Sequence, residues 1–175
     1  SSLYAIHEAA NALINGECDI AIAGGANILE NQEYYINAEN TLSASGYTKA
    51  FGKDADGFVP GCGGGAVLLK PLNDSIRDAY TIHAVIKGSA INNDGSEKAS
   101  YAAPSIDGES KAIADALDIA EVDPEDIGYI EAHGTGTKLG DSVEIEALHR
   151  VFGKREQIPL YIGSVKYKLG QLKLD

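Results

Sequence analysis

The chain has 175 residues, 44% of them hydrophobic, with 14 Lys and Arg against 26 Asp and Glu and a net charge of −12. That length and apolar content predict one globular unit with a substantial core, and the charge argues against non-specific binding to nucleic acid or to an anionic membrane surface. No apolar run approaches the ~20 residues of a membrane span, no signal peptide is legible at the start, and Cys18 and Cys62 offer neither a disulfide framework nor metal-ligand spacing; a reduced, cytoplasmic compartment fits best.

Ser1 to Asn15 reads as a helix, with Leu3, Ile6, Ala10 and Leu13 at helical spacing, a serine to cap it and Gly16 to stop it. The chain contains no Met and opens directly on this helix, which predicts a piece of something longer. His7 lies on the half-buried or exposed side with nothing in the sequence to pair it, so a structural role is expected. Cys18 to Ile28 reads as a short buried strand ended by glycines, with Cys18 as a small core residue. Residues 30–42 are weakly helical, and the polar, turn-rich stretch 43–57 is expected to be a surface loop.

Gly61-Cys62-Gly63-Gly64-Gly65 invites a phosphate-loop reading. The Lys and Ser/Thr of such a loop are missing and the following Ala66 to Lys70 is strand-like, so a tight turn feeding a buried strand is the better account. A short polar connection with some helix follows to Ala79, then an alternating strand over 82–91 with His83 solvated, a turn at Asn92-Asn93-Asp94-Gly95 and a loop over 96–104. Asp107 to Ala120 is an amphipathic helix, and Val122 to Asp126 turns the chain round with Pro124 as breaker.

The stretch from Ile127 to Asp141 organises the rest. An apolar run ends at the lone His133, then Gly134-Thr135-Gly136-Thr137 turns sharply and a new helix begins. Strands that stop and turn in this way present side chains in a crevice at the strand ends. A packed strand-end histidine is the plain alternative for His133, but the flanking Gly-Thr-Gly-Thr favours chemistry. Asp141-Ser142-Val143-Glu144 is read as a capping box, with the helix running to Phe152, His149 in its last turn and Gly153 as its stop. Leu160 to Val165 is expected to be a short buried strand ending at Lys166. The alternation of helix and strand predicts a layered α/β unit with a mostly parallel sheet.

Glu131-Ala132-His133-Gly134-Thr135-Gly136-Thr137, with Leu139-Gly140-Asp141 after it, resembles the β-ketoacyl synthases of polyketide and fatty acid synthesis. Four other blocks agree in the family's order: Gly16 to Gly25, Lys49 to Phe58, Gly88 to Gly95, and Gly163-Ser164-Val165-Lys166. The resemblance covers nearly the whole chain. It implies a thiolase-like fold of stacked α/β/α/β/α layers, of which residues 1–175 would be an internal fragment of a single ketosynthase domain, spanning the end of the first half and the start of the second. It also implies that a nucleophilic cysteine lies one or two residues before Ser1, at the start of the first helix, where the helix dipole favours a thiolate, and that the position of Cys62 is a small structural one.

The reaction implied is a decarboxylative Claisen condensation between a malonyl unit on an acyl carrier protein and an acyl chain held as a thioester. Partners implied are the carrier, other modules of a multidomain synthase and a second copy in a homodimer; no cofactor is bound directly, the carrier's phosphopantetheine arm being the substrate carrier. The resemblance makes His133 an oxyanion donor and has Thr135 and Thr137 hydrogen-bond the arm, while Lys166 tunes a second histidine. That second histidine is where the sequence departs from the pattern: Gln171 occupies its place, and Tyr167-Lys168 replaces a small polar pair. Glutamine can donate a hydrogen bond but does not change protonation near neutral pH. Three readings follow: an elongating ketosynthase, a non-elongating domain that binds or passes carrier-bound chains, and, more weakly, a thiolase. On any of them the 175 residues alone are expected not to condense malonyl units.

Overall fold

The computed structural model describes residues 2–29, 41–93, 95, 104–153, 155 and 158–171. In chain order they form α1 (Ser2–Ile14), β1 (Ala21–Asn27), β2 (Gly63–Leu69), α2 (Leu72–Arg77), α3 (Ile106–Ala120), a 3₁₀ turn (Pro124–Asp126), β3 (Tyr129–Glu131), α4 (Lys138–Phe152), β4 (Tyr161–Gly163) and α5 (Lys166–Leu169). The predicted elements at 1–15, 18–28, 107–120 and 127–152 are all present with small shifts of boundary. The predicted helix over 30–42 and loop over 96–104 fall mainly on 30–40 and 96–103, outside the described residues.

The sheet departs from expectation. Among the described residues there are two separate two-stranded ladders: β1 pairs antiparallel with β2, from Ala21 opposite Leu69 to Asn27 opposite Gly63, and β3 pairs in parallel with β4. The glycine run explains the first ladder. Gly25 faces Gly65, and a Cβ on Gly24 would come within 2.9 Å of the Ala66 Cα, so the glycines allow a close backbone approach. The second ladder is a strand–helix–strand unit with α4 as its crossover.

Packing follows the same division. α1 lies on β1, while α3 packs on α4 and their ends are joined by an Arg150–Asp107 ion pair. The core is small: Ala23, Ala55 and Ala132 are buried together with the α4 residues Val143, Ala147, Leu148 and Phe152. The expected substantial core and buried strands at 18–28, 66–70 and 160–165 are therefore corrected, β1 keeping only Ala23 buried. Ile22, Val67, Leu68, Tyr161 and Ile162 are exposed, because each ladder is only two strands wide and no described element covers its outer faces. Cys18 is half-buried and not in the core. The stretch 82–91 forms no ladder; it runs against α3, where a Cβ on Gly88 would lie 2.6 Å from the Ala116 carbonyl oxygen.

His7 is not unpaired. Its Nδ1 lies 2.9 Å from Ser89 Oγ and its Nε2 3.0 Å from Asn11 Nδ2, which ties α1 to the chain beyond α2.

The stretch 43–57 is not a loose surface loop. Ser43 is fully buried, and Thr48 and Ala55 are nearly so. Its polar groups satisfy one another: the Asp56 carboxylate accepts from Ser43 Oγ at 2.8 Å, Ser45 N–H at 2.9 Å and Ser45 Oγ at 3.2 Å, and Thr48 Oγ1 accepts from Val59 N–H at 2.9 Å. Polar composition signals solvent only when these groups have no partner within the chain. The bond from Ser43, followed by those from Ser45 and the charge of Lys49, holds Asp56 below the usual carboxylate range, against the opposing effect of burial.

A carboxyl with a lowered folded pKa stabilises the fold above its unfolded value of about 4, and that stabilisation fades as pH falls through the folded value. Asp56→Asn should thus be destabilising at neutral pH and progressively less so, relative to the parent chain, below about pH 4. Denaturant melts across that range check this; a difference independent of pH would remove the role given to Asp56.

Candidate active site

β3 delivers Glu131 and Ala132 to the β4 side of the ladder, where Ala132 N–H donates to the Gly163 carbonyl at 2.8 Å. The chain then bends at His133–Thr137. Gly134 and Gly136 adopt φ of 48° and 74°, which favours glycine. Space demands it too: a Cβ on Gly134 would lie 2.6 Å from Ser164 Cβ, and one on Gly136 2.9 Å from the Gly57 carbonyl oxygen.

The bend leaves a row of backbone N–H groups without strand partners, and two carboxylates from α4 take them. Glu144 accepts from His133 N–H at 2.5 Å and from Gly134 N–H at 2.8 Å. Asp141 accepts from Gly136 N–H at 3.0 Å and, with its other oxygen, from Phe51 N–H at 2.6 Å. Both acids are buried. The capping box read from Asp141 and Glu144 is accordingly corrected. α4 begins earlier, at Lys138, with Thr137 as its N-cap residue, and the two carboxylates serve the bend before the helix and not the helix's own first turn. Ser164 closes the other side, its hydroxyl lying 3.2 Å from the Gly134 carbonyl oxygen.

Of the predicted site residues, His133, Thr135 and Thr137 are brought together on this bend. Thr135 is buried, and the two threonine hydroxyls hydrogen-bond each other at 3.0 Å. His133 is exposed as a residue, so the protein around its ring desolvates it only in part. Burial first, and the Lys166 ammonium second, push its imidazole below the ordinary range, with Glu144 and Asp141 pulling the other way. The result favours a neutral ring, able to donate one N–H. Lys166 does not end a strand as expected; it opens α5, and its charge bears on His133 and on Glu131. Gln171 lies next to a different segment. Its N–H donates to the Val59 carbonyl at 2.7 Å and its carbonyl accepts from Gly61 N–H at 2.8 Å, while its side-chain oxygen is buried without a donor.

Sequence reasoning missed Ser164, Phe51 N–H and the holding role of Asp141 and Glu144. The available signal was two acids three residues apart directly after a bend whose N–H groups had no other partner.

The same segments match known proteins. The model of the beta-ketoacyl synthase N-terminal domain matches residues 1–75, and that of the C-terminal domain matches residues 83–174. The chain belongs to the beta-ketoacyl synthase family. It is 43% identical over 179 residues to one of the phenolphthiocerol/phthiocerol polyketide synthase polypeptides of Mycobacterium tuberculosis, covering 99% of this chain and 12% of that protein. It is 45% identical over 174 residues to the polyketide synthase PksM of Bacillus subtilis, covering 97% of this chain and 4% of that one. Among solved structures it resembles the ketosynthase from module 1 of the bacillaene synthase of Bacillus amyloliquefaciens, with a TM-score of 0.90 and 42% identity over 98% of this chain and 31% of that one. Ketosynthase twelve of the bacillaene synthase from the same organism gives a TM-score of 0.92 at 39% identity, with 98% and 31% covered. The fold is therefore thiolase-like, and the chain spans about a third of the ketosynthases it matches and a far smaller share of the synthase polypeptides.

The bend's dependence on its acids is testable in a ketosynthase that contains this chain. Glu144→Ala orphans the buried Gly134 N–H, at a cost of roughly 1–3 kcal/mol, and the part-buried His133 N–H, at less. Denaturant unfolding should show that loss, with Glu144→Gln, which keeps one acceptor oxygen, falling between; equal stability of Glu144→Ala and the parent would contradict it.

Proposed function

We propose that residues 1–175 form an internal segment of one ketosynthase domain, working with an acyl carrier protein in a modular synthase. In this reading a thiolate outside the chain holds an acyl group as a thioester, and a malonyl unit arrives on the carrier's phosphopantetheine arm. Loss of CO₂ leaves the electron pair of the broken C–C bond as an enolate. The enolate carbon attacks the acyl carbonyl, a new C–C bond forms, the C–S bond breaks and the thiolate leaves. His133 N–H would stabilise the enolate oxygen, and the Thr135 and Thr137 hydroxyls would hold the arm. The observation that carries this reading is a histidine biased toward its neutral form on a bend fixed by two buried carboxylates, since a preorganised neutral donor is what a developing oxyanion needs. The family match, relatives named as polyketide synthases and the lack of a membrane-spanning helix among the described residues are compatible with a cytoplasmic, multidomain, homodimeric parent.

A second reading rests on Gln171. A residue that cannot take up a proton near neutral pH stands where the family pattern has a histidine, and its side-chain oxygen is buried without a donor. That favours a domain which accepts and passes carrier-bound chains without elongating them.

One assay separates the two. Acyl loading and malonyl condensation are measured on the full synthase. Elongation predicts both, with His133→Ala retaining loading but losing about 10²–10³ in condensation. Because His133 must be neutral to donate in the intended way, the acid limb of that rate should lie below about pH 6.5, and Lys166→Ala should move it upward. Loading without condensation, with Gln171→His restoring product, establishes the second reading. Loading absent in both would remove the acyl-transfer assignment.

A further inference from the structure

Glu131 enters neither the donor set nor the bend, yet it is tied at both oxygens. Oε2 accepts from Tyr129 OH at 2.5 Å, and Oε1 accepts from Val165 N–H at 2.6 Å. Tyr129 and Glu131 are two apart on β3 and so share one face of it. Opposite them, Glu131 is in register with Gly163, and the phenol of Tyr129 occupies the space a Cβ on Gly163 would take. The missing side chain on Gly163 makes room for the phenol that holds the acid. Val165 is the N-cap residue of α5 and has no side-chain cap of its own. Its N–H is thus held by a residue from another strand, and the next residue is Lys166.

We propose that Glu131 is a positioning residue: through the Val165 N–H it fixes the start of α5, whose preceding residue Ser164 donates to the His133 and Gly134 carbonyls, and so sets where the Lys166 ammonium stands relative to His133. Tyr129 is the second anchor, keeping the carboxylate turned toward Val165. The charges around His133 are then Lys166 from α5, Asp141 and Glu144 from α4, with Glu131 two residues away along its own strand acting through Lys166. The bond from Tyr129, then that from Val165, then the charge of Lys166 hold Glu131 below the usual carboxylate range. The clamp is therefore set at neutral pH. The inference rests on the reading of His133 as the donor, but its geometry can be tested apart from catalysis.

The test is a titration of the ketosynthase containing this chain, labelled with 13C at histidine Cε1, the His133 signal being assigned by its loss in His133→Asn. Glu131→Ala should raise the His133 midpoint by about one pH unit, the effect of moving one neighbouring cation away. Glu131→Gln keeps an acceptor for Val165 N–H and should retain most of the lowered midpoint. Tyr129→Phe, a milder change that tests the clamp if the alanine variant fails to fold, should raise the midpoint by less. An unchanged midpoint in Glu131→Ala or Tyr129→Phe, whatever happens to the melting temperature, overturns the proposal, as does an equal rise in the Gln and Ala variants. If the midpoint moves as expected while His133→Asn still condenses malonyl units at the parent rate, the clamp stands and the donor role falls.

Discussion

Two buried carboxylates, Asp141 and Glu144, take four backbone N–H groups from three different places: the end of β3, the glycine bend and the loop at Phe51. Without them the bend would bury unsatisfied donors, each worth roughly 1–3 kcal/mol. With them, the positive-φ glycines become sustainable and the side chains on the bend acquire fixed directions. Charged acceptors make shorter and stronger bonds than carbonyls do, so the acids hold more rigidly than a strand ladder would. The same charges pull the His133 imidazole toward protonation, and burial with Lys166 outweighs them. The site is a balance of opposed fields in which the scaffold's charges work against the function's requirement.

The loop from Ser43 to Gly61 joins the two ladders. Asp56 knots its first half, Gly57 N–H donates to the Gly136 carbonyl at 2.8 Å, and Val59 and Gly61 pair with Gln171. Nothing in its composition announces this. A run of Ser, Lys, Asp and Gly reads as solvent because single-residue polarity carries no record of which groups find each other. The long helices α1, α3 and α4 and the β3–bend–α4 succession were legible, since apolar spacing and glycine placement are local properties, whereas the short α5 was read as the end of a strand. Ladder sense was not, because whether β1 meets β2 head to tail depends on how closely two glycine runs pack, which no periodicity encodes. The acids at 141 and 144 were seen but given the wrong partners. Their spacing fits a cap, and only the position of the true helix start at Lys138 shows that they face outward from it.

Exposed Ile22, Ile28, Val67, Leu68 and Tyr161 lie on or beside ladder faces that no described element covers. A ketosynthase about three times longer has material to place there. The apolar fraction that suggested a self-sufficient core thus counts, in large part, side chains whose neighbours are not among the described residues. Burial in this chain concentrates on α4 because, among the described elements, α4 is packed from two sides, by α3 and by the bend.

The His7 cluster adds one point about how the two matched segments stay in register. As oriented, Asn11 donates to Nε2, so Nδ1 carries the ring proton and donates to Ser89. One imidazole thus serves two partners, a neighbour one turn along α1 and a hydroxyl 82 residues away in the other matched segment. A single ring orientation meets both, so the junction fixes how far along its axis α1 can sit on the strand it covers.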